Sequence, residues 1–289
     1  MERPEIFEAN VLPWLTVKEH FALAGVNRAC REALANVEGM EWLRSHGDVW
    51  GRRGRQSTRD DCRFTRVDVL KNSSCRACCR AAEEGRVEVL KWLQARGCRW
   101  DRSTCAYAAV NGHLDVLRWL RENGCEWNEY TCAGAAGGGH LDVLQWVREN
   151  GCEWDHLTCS HAAKGGHLKV LRWARENGCE WDDMWTCAYA AGGGHLEVLQ
   201  WARENGCPWN AWTCYRAARF GHLDVLQWAR ANGCEWDRRT CAEAARGGHL
   251  DVLRWARENG CEWDAWTCSR AAGGGHLDVL RWARENGCE

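Results

Sequence analysis

No run of apolar residues in this chain approaches the roughly 20 needed to cross a membrane. Its first ten residues, Met1 to Asn10, hold three acids and no apolar export-signal core. A cytoplasmic or nuclear location is expected, with no membrane partner. Excess charge of either sign is also lacking, because 38 Lys and Arg stand against 40 Asp and Glu for a formal charge of −2. With 289 residues, 45% of them hydrophobic, the chain can bury a large core in the ordinary manner of a soluble polypeptide. Missing too are a phosphate-cradling glycine loop, a nucleophile and base set apart at one place, and a ligand cluster with metal spacing. Acid–base chemistry needs singular, differentiated residues, and this chain mostly offers copies. No enzymatic activity, cofactor or metal is expected.

What is present is a phrase repeated along most of the chain. It is typified by Thr131-Cys132, Ala135-Ala136, Gly139-His140-Leu141-Asp142-Val143-Leu144, Trp146 and Asn150-Gly151-Cys152-Glu153-Trp154-Asp155. The Gly-His step falls at His113, His140, His167, His195, His222, His249 and His276, 27 residues apart except for one extra residue before His195. Arg86 holds the same slot one period earlier. Eight units are therefore readable from about Ala77 to the end. The insertion lies between Trp181 and Thr186, and insertions collect in loops.

Within a unit, apolar spacing predicts a first helix from Thr104 to about Val110 and a second from His113 to Asn123. Thr104 is expected to cap the first. Leu114, Val116, Leu117 and Leu120 form the apolar stripe of the second, opposite Asp115, Arg118, Arg121 and Glu122, and Asn123-Gly124 closes it. Helices of about ten residues are marginal alone, so neighbouring units must share a continuous core, with Ala135-Ala136 and its counterparts allowing close approach of first helices.

The segment from Gly112-His113-Leu114-Asp115-Val116-Leu117 through Asn123-Gly124-Cys125-Glu126-Trp127-Asn128 resembles the second helix and loop start of the ankyrin repeat. That family has a period of about 33 residues. The residues missing here fall between Trp127-Asn128 and Thr131-Cys132, where ankyrin repeats carry a β-hairpin finger. The resemblance implies an all-α, ankyrin-like helix-pair solenoid over residues 77–289, with shortened loops in place of fingers. It further implies a protein-binding scaffold without catalysis.

Cysteine is abundant, at 20 residues, but its spacing argues against a disulfide scaffold. Cys105 and Cys125, then Cys132 and Cys152, and their later equivalents are two fixed slots of the unit, and buried free cysteine packs as a small hydrophobe. Short pairs of the kind that bind zinc occur only among Cys75, Cys78 and Cys79, without a second pair at the required distance. The repeated histidines are read as structural hydrogen bonders between neighbours. Fifteen of the 21 tryptophans also occupy two fixed slots, exemplified by Trp119 and Trp127, and are expected to cover helix ends and the seam between units.

Positions that vary inside a rigid frame can encode recognition. One such column is Ser103, Tyr130, Leu157, Trp185, Trp212, Arg239 and Trp266. A second is Tyr107, Gly134, His161, Tyr189, Arg216, Glu243 and Arg270, and a third Val110, Gly137, Lys164, Gly192, Arg219, Arg246 and Gly273. By the ankyrin resemblance these lie on the concave face and loop edge where partners dock. The richest stretch runs from His161 to Arg246, where Trp212, Tyr215, Arg216, Arg219 and Phe220 are residue types enriched at binding hot spots. With Lys164, Trp185, Tyr189, Arg238, Arg239 and Arg246 they predict a basic, aromatic face for an acidic protein segment. The competing reading is drift at exposed positions.

Ahead of the repeats, Pro4, Ile6, Phe7, Val11, Leu12, Trp14, Leu15, Phe21, Leu23, Val26 and Leu34 read as two or three short amphipathic helices over residues 1–40. This region resembles an F-box, a module that binds a Skp1-type protein within a ubiquitin ligase. That resemblance assigns the contact to Phe7, Val11, Leu12, Leu15 and Val26, and makes the chain a substrate-recognition adaptor. The alternative is an N-terminal helical cap on the first unit. Residues 41–76 are an arginine-rich linker or degenerate repeats, containing Arg52, Arg53, Arg55, Arg59, Arg63 and Arg66. Such a run can contact nucleic acid, although it lacks the interleaved aromatics that single strands require. At the other end the last unit stops at Cys288-Glu289 with no polar closing helix, as expected of a fragment or of an end that binds another molecule.

Overall fold

A computed structural model of the chain describes residues 74–182 and 184–288, with Glu41. The F-box-like positions Phe7, Val11, Leu12, Leu15 and Val26, and the arginines between 52 and 66, lie outside the described residues. Among the described residues there are sixteen helices and no strand, arranged as pairs. The first helices of the pairs are α1 (Ser74–Glu83), α3 (Arg102–Val110), α5 (Glu129–Gly138), α7 (His156–Gly165), α9 (Thr186–Gly192), α11 (Ala211–Phe220), α13 (Arg238–Gly247) and α15 (Ala265–Gly274). The second helices are α2 (Val87–Ala95), α4 (Leu114–Glu122), α6 (Leu141–Glu149), α8 (Leu168–Glu176), α10 (Leu196–Glu204), α12 (Leu223–Ala231), α14 (Leu250–Glu258) and α16 (Leu277–Glu285).

Both helices of a pair end in the same way. The amide of His140 donates to the Ala135 carbonyl at 3.0 Å and that of Gly139 to Ala136 at 3.2 Å, while Cys152 donates to Val147 at 2.9 Å and Gly151 to Arg148 at 3.1 Å. This is the Schellman arrangement, in which a left-handed residue lets the chain turn back onto orphan carbonyls. Gly139 and Gly151 supply that residue at φ of 80° and 79°. The side chain of Asn150 adds a bond to the Trp146 carbonyl at 2.8 Å, repeated at Asn177, Asn205, Asn232, Asn259 and Asn286.

The helix starts differ from the sequence expectation. Thr104 does not cap its helix but lies inside it, fully buried, as do Thr131, Thr158, Thr186, Thr213, Thr240 and Thr267. Except at Asn128, which makes no such bond, the cap is the acid or amide that closes the preceding loop. Asp155 Oδ1 accepts from the Leu157 amide at 3.0 Å, Asp237 from Arg239 at 2.7 Å and Asp264 from Trp266 at 3.0 Å, with Asn210 serving Trp212 at 3.0 Å. Asp and Asn are the stronger cap residues because their short side chains reach the orphan amides of the first turn. Thr131, Thr158, Thr240 and Thr267 leave their hydroxyls without a hydrogen-bond partner among the described residues.

The one-residue insertion is absorbed at the cap. Asp182 is 8% exposed, and its Oδ1 accepts from the amides of Met184 and Trp185, both at 2.8 Å. Helix α9 is left with seven residues where α7 and α11 have ten. The second helix that follows, α10, keeps its full nine residues.

By compactness the described residues form two units. One holds those up to Ala108 with Asp115–Cys125, and the other holds Ala109–Leu114 with those from Glu126 onward. In the first, Ala77, Ala81, Ala82, Leu90, Leu93, Leu117 and Leu120 are fully buried. In the second, α5, α7, α9, α11, α13 and α15 pack in succession, each first helix against the next. Paired alanines such as Ala135-Ala136 and Ala162-Ala163, all fully buried, bring those backbones close. Leu144, Leu171, Leu199, Leu226 and Leu253 fill the layer behind them with no exposure, each contributing about 1.5–3 kcal/mol before ordering entropy is counted.

Candidate functional site

Two side-chain systems fix each pair of the second unit to the next. Histidine forms the first. His140 Nε2 donates to the Val110 carbonyl at 3.1 Å, His167 to Gly137 at 3.1 Å, His195 to Lys164 at 3.1 Å, His222 to Gly192 at 3.2 Å and His276 to Arg246 at 3.0 Å. The acceptors are last-turn carbonyls of the preceding first helix, which have no partner within their own helix. Burial, as the largest cause, holds the His161 and His167 imidazoles below the usual histidine range.

Tryptophan and arginine form the second system. The loop Trp127 meets Trp146 edge to face at 5.7 Å, Trp154 meets Trp173 at 5.7 Å and Trp209 meets Trp228 at 5.8 Å. Edge-to-face contact matches the positive ring edge to the negative ring face. The last-turn arginine of a second helix covers the other side, with Arg148 4.2 Å from Trp154 and Arg203 4.2 Å from Trp209. The same guanidinium donates to the cysteine carbonyl that opens the loop, Arg148 to Cys152 at 2.6 Å and Arg203 to Cys207 at 2.5 Å.

Against this repeated frame the variable positions form a continuous surface. Trp185 and Trp212, one repeat apart in the column before the threonine, are 5.6 Å apart and tilted. Trp185 stacks on Tyr189 at 5.7 Å, and Trp212 meets Tyr215 edge to face at 5.7 Å. Arg216 lies over Tyr189 at 4.7 Å and reaches Phe220 at 5.5 Å, while Arg219 lies 5.6 Å from the same Phe220. Lys164 completes the group, 5.9 Å from Tyr189. Trp212 is 43% and Phe220 46% exposed, Trp185, Tyr189 and Arg216 are half-buried, and Lys164, Arg219, Arg239 and Arg246 are exposed. His161 is half-buried beside Lys164 and bonded to the Ala133 backbone.

The geometry alters two expectations. Tyr215 was expected at the contact surface, but it is 6% exposed, and burial, followed by the hydrogen bond of its hydroxyl to Asp237, raises its pKa. It supports Trp212 from beneath. The positive face is also interrupted: Glu243 lies 3.8 Å from Arg219 and 3.9 Å from Arg246, so two of its arginines are partly neutralised within the chain. Among the described residues no acid forms an ion pair with Arg216. Burial first, and then Arg219 nearby, lower its pKa, and its Nε is a buried donor with no hydrogen-bond partner among the described residues. Gly192 makes room for it, since a Cβ there would sit 2.8 Å from that Nε.

The sequence reading missed Met184, 43% exposed beside Trp185. Its signal was the insertion itself, which places an extra residue next to the aromatic column. Trp266, 54% exposed with Arg270 4.8 Å from its ring, repeats the aromatic–arginine pairing further along. Among the described residues no group of three or more His, Cys, Asp and Glu could hold a metal ion, and no helix is long and apolar enough to cross a membrane.

Short helix pairs, each closed by glycine and joined by first-helix packing, define a helical repeat protein. Residues 187–230 match the family described as ankyrin repeats (many copies), and the fold is the ankyrin-like helix-pair array with its finger reduced to a short loop. Among solved structures the chain is similar to the human ASB11 ankyrin repeat domain, with a TM-score of 0.43 and 18% identity over 55% of this chain and 84% of that one. No curated protein sequence matches the chain.

Proposed function

We propose that the chain is a non-catalytic binding scaffold whose partner, a protein with an acidic segment, docks on the surface built from Trp185, Tyr189, Trp212, Arg216, Arg219 and Phe220. Ankyrin repeats generally bind proteins, and the reading rests most on Arg216. Its Nε is a buried donor without a hydrogen-bond partner among the described residues, and its half-buried guanidinium lies over the Tyr189 ring at 4.7 Å, where a carboxylate of a docked partner would be favoured. Exposed aromatic rings flank it and supply rigid apolar area at small entropic cost. Lys164, Arg239 and Arg246 extend the positive charge around that centre and would steer an acidic segment toward it.

The test is capture of partners by the full chain and by a variant carrying Trp212→Ala with Arg216→Ala, beside a Gln227→Ala control on an exposed helix position of the same repeat. Loss of the same partner from the double variant alone supports the reading, provided urea unfolding is unchanged. Equal capture by all three overturns it.

We further propose, from the apolar pattern around Phe7, Val11, Leu12, Leu15 and Val26, that residues 1–40 recruit a Skp1-type protein, which would make the array the substrate-recognition part of a ubiquitin ligase adaptor in the cytoplasm or nucleus. Deleting residues 1–40 should abolish co-purification of that protein while leaving capture by the array intact. Co-purification that survives the deletion removes this second proposal.

A further inference from the structure

We propose that two repeats each carry a built site for an intra-repeat disulfide, Cys105 with Cys125 and Cys187 with Cys207. In both, the sulfurs lie 3.3 Å apart, and all four residues are at most 1% exposed. Disulfide formation needs the sulfurs to approach to about 2.05 Å, a closure of about 1.3 Å within one helix pair. The cysteines concerned are reduced in the structure.

The counterparts of these two pairs occupy the same slots of their repeats. Where the sequence places Cys132 and Cys152, the sulfur of Cys132 is directed at the Cys152 carbonyl, 3.9 Å away. Cys159 faces the carbonyl of Cys179 at 4.0 Å and Cys241 that of Cys261 at 3.9 Å. The thiols of Cys132 with Cys152, Cys159 with Cys179, Cys214 with Cys234 and Cys241 with Cys261 are hydrogen-bonded to each other as well, and the 3.3 Å approach of the sulfurs is seen at Cys105 with Cys125 and Cys187 with Cys207. Cys105 and Cys187 lie near the starts of α3 and α9, and Cys125 and Cys207 directly follow α4 and α10. The bond would therefore tie the two ends of a single pair and leave neighbouring pairs unlinked.

In each pair both sulfurs are thiols: Cys187 donates to Cys207 and Cys105 to Cys125, while Cys125 donates to the Asp101 carbonyl at 3.4 Å and Cys207 to that of Pro208 at 3.6 Å. The pairing with Cys207, followed by burial, keeps the Cys187 thiol protonated. A last-turn arginine binds the backbone of each acceptor cysteine, Arg121 at 3.0 Å from the Cys125 carbonyl and Arg203 at 2.5 Å from that of Cys207. The oxidant is a low-molecular-weight disulfide. The Cys207 thiolate attacks one of its sulfurs, forming a mixed disulfide and expelling one small thiolate. Cys187 then loses its proton and displaces the second small thiolate from the Cys207 sulfur. Both released thiolates take up the two protons, the protein loses two electrons, and the small disulfide gains them.

The experiment brings the full chain, reduced and denatured, to folding equilibrium in glutathione buffers of stepped redox ratio, so that burial does not limit access. Samples are acid-quenched, alkylated and mapped by peptide mass. We expect cross-linked peptides joining Cys105 to Cys125 and Cys187 to Cys207, each lighter by two hydrogens. Cys125→Ser should remove the first cross-link alone, and Cys207→Ser the second alone. Both pairs remaining alkylated while other cysteines cross-link overturns the proposal, as do cross-links that join different repeats.

Discussion

His167 lies where a side chain on Gly139 would be: a Cβ added to that glycine would sit 2.5 Å from the imidazole Nδ1, while the other ring nitrogen donates to Gly137 at 3.1 Å. One repeat thus finishes the helix end of the repeat before it. The glycine is constrained twice, by its left-handed backbone at φ of 80° and by the ring against it. The relation recurs from Gly112 with His140 to Gly248 with His276.

These two constraints can be separated by substitution. Gly275 has nearly the same backbone as Gly139, at φ of 76°, but nothing within 4 Å of an added Cβ. Gly275→Ala should cost only the left-handed penalty, about 1–2 kcal/mol. Gly139→Ala must also displace the imidazole and its hydrogen bond, and should cost at least about 1 kcal/mol more. Urea unfolding, with amide exchange in the affected repeat to localise the effect, measures both. Equal costs would mean that the ring yields freely.

Acidification should loosen the array through the same contact. His161 and His167 are held below the usual histidine range, chiefly by burial, so the folded chain favours their neutral forms. The unfolded chain takes up protons at higher pH, so the stability these residues contribute is complete above the ordinary histidine pKa of about 6.5 and is lost as pH falls toward their folded values. The urea midpoint should fall across that window, and His167→Gln, which can still donate to Gly137, should flatten the fall. A midpoint independent of pH in both chains would contradict the assignment.

The second helices and both glycine endings are legible in the sequence because they depend on local periodicity and on a backbone angle that glycine favours. The aromatic–arginine surface is legible for a related reason: residues one period apart must become neighbours when identical pairs stack, and Trp185 meets Trp212 in that way. Tyr215 shows the limit of composition as a guide. It follows the recurring cysteine, in a column that also holds Ala133, Ser160, Ala188 and Ala242, all buried, with Ala106 half-buried and Ser269 exposed in the last repeat. That register, rather than its aromatic character, foretells a buried position. The threonines mislead because Thr is an acceptable cap by type, whereas the Asp or Asn three residues earlier reaches the orphan amide.

That distinction has a measurable sign. Asp155→Ala removes the bond to the Leu157 amide and should destabilise by about 1 kcal/mol. Thr158→Val replaces a fully buried hydroxyl that lacks a partner with an isosteric methyl, and should be neutral or stabilising. If Thr158→Val proved the more damaging of the two, the threonine would be serving as the cap after all.

The tryptophan system predicts that the loops contribute strongly to stability despite their shortness. Trp154 packs edge to face on Trp173 of the following pair, and Arg148 of its own pair covers it at 4.2 Å while holding the Cys152 carbonyl. An aromatic pair adds about 0.5–1.5 kcal/mol beyond its buried area, and a cation over an exposed ring adds about 0.5–1 kcal/mol. Trp154→Ala should therefore cost about 2 kcal/mol or more once lost area is included, and Trp154→Phe, which keeps a ring, less than half of that. Because each pair is held by its neighbours, the loss should appear as faster amide exchange in both α6 and α8. Exchange that quickens in α6 alone would place the tryptophan within one pair rather than across the seam between two.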